Sequence, residues 1–207
     1  SVLVQIASGV LQPSSGEIEV SGRPVRFHSP VDARRHGIET IFQTLALADN
    51  LDAPANFFLG RELCTRLGFL DTRRMAEEAG RALAALNPEM TDIERPVRMM
   101  SGGQRQAIAI ARAIHFDVKL LVMDEPTAAL GPHETAQVRD LIGRLRASGI
   151  GILLISHDVR DVMRLADRIV VLKSGEIVGT LEAAATTEDE VVDMIVRGRR
   201  TPAKAIA

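Results

Sequence analysis

Apolar residues follow two alternating rhythms along this chain. From Leu3 to Leu11 they keep helical spacing until Pro13 and Ser14-Ser15-Gly16 interrupt it, which predicts the end of a helix closed by a turn. Glu17-Ile18-Glu19-Val20 then alternates polar and apolar, Ser21-Gly22 supplies a turn, and Pro24-Val25-Arg26-Phe27 returns, so a β-hairpin is expected. Ser29 before Pro30 predicts a capped short helix over Val31 to His36, ended by Gly37. Ile38 to Phe42 reads as a strand that runs into Gln43. From about residue 48 to residue 115 the chain is written in helix formers with scattered Gly and Pro, and a helical subdomain is expected there.

After Val118 strands and helices alternate. Leu120-Leu121-Val122-Met123 is a continuous apolar run, the mark of a strand buried on both faces of a parallel sheet. Ile152-Leu153-Leu154-Ile155 reads as a second buried strand. Between them, Val138, Leu141, Ile142 and Leu145 form one apolar stripe at helical spacing. Ile169 to Leu172, Ser174-Gly175 and Glu176-Ile177-Val178 predict a closing hairpin. Thr187 is placed to cap a final helix with Val191, Val192 and Ile195 on its core side, and residues 199–207 read as a loose tail. Such alternation predicts an α/β fold with a largely parallel sheet.

Composition narrows the class. The 207 residues are 46% hydrophobic and 25% charged, which excludes a disordered polar chain and suits one domain with a core. A net charge of -2 argues against a dedicated nucleic-acid binder. Cys64 is the only cysteine, so no internal disulfide forms, and a reducing, cytoplasmic setting is expected. No apolar run approaches the roughly 20 residues that span a bilayer. Cys64 itself reads as a packing residue.

Three segments carry candidate chemistry. Asp124-Glu125 leaves the C-terminal end of a buried strand, where open α/β sheets place ligands. One carboxylate there can hold Mg²⁺ while the other acts on a water, although a solvated acidic turn would look the same in isolation. Met100-Ser101-Gly102-Gly103-Gln104 opens an Ala/Ile-rich helix, with Ser101 as cap and glycines leaving N–H groups bare at the positive helix end. Ile155-Ser156-His157-Asp158 puts a histidine just past another strand, and Gln43 follows a third. His28, His36, His115 and His133 lack metal-ligand spacing and read as structural.

Together these segments resemble the ATP-binding cassette (ABC) ATPases. Ser101-Gly102-Gly103-Gln104 is similar to that family's signature loop, with Met100 where Leu is commoner; Leu120 to Glu125 resembles its Walker B strand and catalytic Glu; Gln43 resembles its Q-loop and His157 its switch histidine. Ser29-Pro30-Val31-Asp32-Ala33, Asn56 to Leu63 and Thr127-Ala128-Ala129-Leu130-Gly131 look like the bacterial importers of ribose, xylose and fructose type. Gly131 stands where most of the superfamily has Asp. The resemblance covers Ser1 to about Gly198.

What the resemblance implies is specific. The fold is expected to be a P-loop NTPase-type ABC nucleotide-binding domain, residues 1–198, with a mainly parallel sheet, a small antiparallel β part and the helical subdomain. Glu125, His157 and Gln43 would be catalytic. Ser1, Ser101, Gly102, Gly103, Gln104 and Asp124 would contact ATP, and Ser1, Gln43 and Asp124 would hold Mg²⁺. A second ATPase subunit, arranged head to tail, would complete the site. An integral-membrane sugar permease would be the docking partner on the inner face of the cell membrane, a periplasmic or extracellular sugar-binding protein an indirect one, and nucleic acid no partner. Ser1-Val2-Leu3 aligns with the residues that directly follow the phosphate loop's lysine, and Gly-x-x-x-x-Gly-Lys-[Ser/Thr] does not occur in these 207 residues. The chain is therefore expected to be a fragment that does not bind ATP alone. Two other readings are a non-transport ABC ATPase and a nucleotide-free module that docks on a permease.

Overall fold

The computed structural model describes residues 2–198 apart from Glu89 and Ala129. It divides into two compact units, residues 1–155 and 156–207. The predicted tail, residues 199–207, lies outside the described residues, as does Ser1.

The first unit opens with α1 (Val2–Ala7), which stops earlier than the apolar pattern suggests. Gly9 takes a left-handed backbone (φ 73°), and the N–H groups of Val10 and Leu11 both turn back to the Gln5 carbonyl, so the chain leaves the helix before Pro13. The hairpin β1 (Ile18–Val20) and β2 (Arg23–Val25) and the short α2 (Pro30–Arg35) follow. A three-stranded parallel sheet then forms from β3 (Ile38–Ile41), β4 (Leu120–Asp124) and β5 (Gly151–Ile155), in the order β3-β4-β5. Val4, Phe27, Ala33, Ile38 and Val122 make one core cluster against the sheet.

β4 is central, and Leu121, Val122 and Met123 are completely buried, as a continuous apolar run requires. β5 differs from expectation. It alternates between exposed and partly buried, with Leu153 at 37% exposure, because β4 flanks it on one side and no described strand pairs with its other side.

Between β3 and β4 the chain builds its helical part: α3 (Ala53–Phe57), α4 (Thr72–Leu86) and α5 (Gly102–Ile114). Phe57 and Phe58 pack with Met75, Ala79 and Leu83 of α4 and Ile108 of α5, all buried. The side chain of Asn56 is wholly buried and fully satisfied. Its amide donates to the carbonyls of Ala48, Leu51 and Asp52 at 3.0, 3.3 and 2.9 Å, and its oxygen accepts the Ala48 N–H at 2.7 Å. Cys64 is exposed beside a one-residue bridge to Leu70, so it does not pack in the core. α6 (Pro132–Ala147) buries the expected Val138, Leu141, Ile142 and Leu145.

The second unit contains α7 (Val159–Leu165), the antiparallel pair β6 (Arg168–Lys173) and β7 (Glu176–Glu182), and α8 (Glu188–Arg197). Its core joins Ile169, Val171 and Val178 to Val191 and Met194. The buried face of α8 is thus Val191 with Met194 at i+3; Val192 and Ile195, expected inside, are each 44% exposed. Packing centres the buried face between Val191 and Met194, which leaves Ile195 at its margin and Val192 outside it.

Two predictions follow from local geometry. A Cβ on Gly9 would sit 2.5 Å from the Ser29 carbonyl oxygen in a left-handed backbone. Gly9→Ala should therefore lower the urea midpoint, by at least the roughly 1–2 kcal/mol that this conformation costs an L-residue. An unchanged midpoint contradicts the close approach. In the capping boxes, Asp32 is held below its ordinary pKa first by the His28 N–H, and Glu190 first by the Thr186 hydroxyl and then the Thr187 N–H. Depressed carboxylates stabilise fully above their ordinary value, and that contribution is lost as pH falls through the lowered one. Helix content followed by circular dichroism should hold at neutral pH and decline below about pH 4. Replacing Asp32 and Glu190 by Asn and Gln should flatten that decline.

Candidate functional site

Parallel pairing puts the C-terminal ends of β3, β4 and β5 on one edge. Ile41 lies beside Met123, and Asp124 beside Ile155. Asp124 is the last residue of β4, and Glu125 leaves it through a sharp bend. Glu125 has a left-handed backbone (φ 54°) that a side chain with a Cβ seldom adopts. Its N–H donates to the Ile155 carbonyl at 2.9 Å, and its own carbonyl accepts the Ala128 N–H at 3.1 Å. The bend is held from both sides, and it sets the direction of the acidic side chain. Nothing in the residue pattern signals that conformation.

Gln43 is exposed in the turn that follows β3, at the same sheet edge. Leu45 and Ala46, just beyond it, also have left-handed backbones (φ 46° and 48°). They are fixed by Arg112, on the last turn of α5. Its guanidinium donates to the Ala46 and Leu45 carbonyls, each at 2.9 Å. Burial, the leading cause, pulls the Arg112 pKa below its ordinary value. Beside it, Arg61 pairs with Glu39 of β3 at 2.6 Å and lies 4.1 Å over the Phe116 ring.

The Ser101–Gln104 segment forms a complete capping box at the start of α5. Ser101 Oγ accepts the Gln104 N–H at 3.3 Å, and Gln104 Oε1 accepts the Ser101 N–H at 3.0 Å. Arg95 holds the same Gln104 oxygen at 2.9 Å. Gln104 is thereby occupied in shaping the loop. Gly102 and Gly103 meet the chain that leaves Glu125: a Cβ on Gly102 would lie 2.7 Å from Leu130 Cδ2, and one on Gly103 would lie 3.2 Å from Glu134 Cβ.

His157 belongs to the second unit, where it is exposed two residues past the end of β5. Asp158 next to it caps α7, accepting the N–H groups of Arg160 at 2.9 Å and Asp161 at 3.4 Å. Within residues 1–155 the expected residues thus fall in two groups: Gln43, Asp124 and Glu125 at the strand ends, and Ser101 to Gln104 at the head of α5. Ser1 lies outside the described residues. Arg112 and Glu134 were not expected. Glu134 stands three residues after Gly131, at capping-box spacing, and that is the signal that could have found it.

A carboxylate on Asp124 and an amide oxygen on Gln43 are hard donors of the kind Mg²⁺ prefers. Among the described residues no cluster of three or more His, Cys, Asp or Glu side chains gathers.

A family model described as ABC transporter matches residues 1–128, more than half of the chain. The chain is 41% identical over 195 residues to the xylose/arabinose import ATP-binding protein XylG of Sulfolobus acidocaldarius, spanning 94% of this chain and 77% of that protein. It is 38% identical to the fructose import ATP-binding protein FrcA of Rhizobium meliloti, spanning all of this chain and 82% of that one. Against the ribose import ATP-binding protein RbsA 2 of Rubrobacter xylanophilus it is 40% identical but spans 38% of that protein's length. Among solved structures, it resembles a dimeric ATP-binding cassette bound to ADP and Pi, with a TM-score of 0.71 at 24% identity, covering 88% of this chain and 79% of that one. A second, the ADP conformation of an ATP-binding cassette of an ABC transporter, gives 0.73 at 22%, covering 94% and 78%. These likenesses agree with the mixed fold of parallel sheet, small antiparallel sheets and helices described above. Among the described residues no helix is long and apolar enough to cross a membrane.

Arg112 provides the test of the strand-end loop. Arg112→Met removes two charge-assisted bonds, each worth about 1.5–3 kcal/mol. It should lower stability in urea by about 2 kcal/mol or more and broaden the amide resonances of residues 43–46. Arg112→Lys should recover only part, because a single ammonium does not match the planar fork. Full recovery by Lys would show that charge alone holds the loop.

Proposed function

This chain belongs to the ABC transporter family, and on that premise we propose that it is the ATP-binding and hydrolysing part of a bacterial importer for simple sugars. The observation that carries the reading is its 38–41% identity to xylose/arabinose, fructose and ribose import proteins over 94% or more of its length. The acidic pair at the β4 end supports the same reading.

In this proposal ATP is bound between two cassettes arranged head to tail. Gln43 and Asp124, with Ser1, would hold Mg²⁺, which would supply neutralising charge to the phosphates of the nucleotide. Glu125 positions the attacking water and accepts its proton. The fixed bend at Glu125 favours that role, because a general base works only when aimed. His157 contacts the γ-phosphate and stabilises developing charge. The partner cassette supplies Ser101, Gly102 and Gly103 as hydroxyl and N–H donors to the γ-phosphate. An integral-membrane permease docks on the cytoplasmic side near the Gln43 loop, and a periplasmic or extracellular binding protein delivers the sugar. No nucleic acid takes part.

Two outcomes are expected. Co-purification from membranes should recover a sugar-type permease, whereas recovery only with ribosomes or DNA points to a non-transport ATPase. In a cassette pair that turns over ATP, Glu125→Gln should reduce hydrolysis about 10²–10⁴-fold while ATP still binds. Turnover within a few-fold of the parent would assign the base elsewhere.

A further inference from the structure

Glu134, at the third position of α6, does more than cap its own helix. One carboxylate oxygen accepts the Gly131 N–H at 3.1 Å, which is ordinary N-terminal capping. The other oxygen accepts the Gly103 N–H at 3.4 Å, across 31 residues of sequence. That donor belongs to the head of α5, where the helix dipole and N–H groups favour an anion. An anion is already there. It is supplied by the chain itself.

The fit is close. Glu134 Cβ and Cγ lie 3.2 and 3.3 Å from where a Cβ on Gly103 would be, and Leu130 Cδ2 lies 2.7 Å from that on Gly102. The two glycines therefore admit the Leu130–Glu134 segment against the head of α5. A plain cap of α6 explains the Gly131 contact but not the contact with Gly103.

We propose that Glu134 is an internal latch: its carboxylate occupies the Gly103 N–H at the head of α5, so a phosphate that reaches this helix end must displace it. The latch joins the turn after Glu125 to the head of α5, and displacement frees the two segments from each other. The phosphate arm rests on the reading that Ser101 to Gly103 receive a phosphate. The carboxylate's grip on the loop does not.

The test uses the chain with inorganic phosphate as probe and the amide resonances of Gly102, Gly103 and Gly131 as readout. Glu134→Gln keeps the shape and the cap of α6 but removes the competing charge. Phosphate should then shift Gly102 and Gly103 with at least five-fold tighter apparent binding than in the parent. Asp140→Asn, an exposed carboxylate on the same helix, removes an equal charge without these contacts and should stay within two-fold of the parent. A merely structural Glu134 predicts unchanged or weaker binding in Glu134→Gln. Equal responses in Glu134→Gln and parent, or an Asp140→Asn gain as large as that of Glu134→Gln, overturn the proposal. So does a Gly103 resonance that Glu134→Gln leaves in place before phosphate is added. The importer assignment stands or falls separately, on the membrane co-purification.

Discussion

A parallel strand with both faces covered has no place for a polar side chain until it ends. β4 obeys this at Leu121, Val122 and Met123, which are sealed from solvent between the strand's neighbours and the helices. Fully burying such side chains stabilises by roughly 1.5–3 kcal/mol each. The run therefore fixes register, and register places Asp124 at the boundary where solvent begins. The first position that tolerates a carboxylate is also the position where three strand ends meet. Chemistry sits at this edge because burial excludes it everywhere else along the strand.

Helix α5 answers the same constraint from the other side. Its middle is almost wholly apolar and buried, so its polar groups gather at the ends: Ser101 and Gln104 at the head, Arg112 in the last turn. At the head they close a capping box. At the tail Arg112 satisfies two carbonyls of a loop whose left-handed backbone would not persist unaided.

Much of this was legible in the sequence. The Leu120–Met123 run, the α6 stripe and the hairpins announced the fold because each rests on a period that one buried face imposes. The acidic pair and the Ser101 loop were legible as ordered motifs. Other features escaped. Leu153 reads like Val122, since an apolar run cannot say how many neighbours a strand has. Val192 and Ile195 read as core because three apolar residues fit one helical face as well as two, and packing chose Val191 and Met194. The strained backbone of Glu125 and the reach of Glu134 to Gly103 depend on segments far apart in sequence. Neither is a property of any local pattern.

The thirteen residues of α5 measure about 20 Å from end to end. Arg112 is bolted to the carbonyls just past Gln43, and Ser101 with Gly103 faces Glu134 at the opposite tip. A helix packed this tightly bends far less readily than the loops at its ends. The loop after β3 and the turn after β4 are thus mounted on a single strut. A shift at one end of so stiff an element is carried to the other, which ties the position of one loop to that of the other.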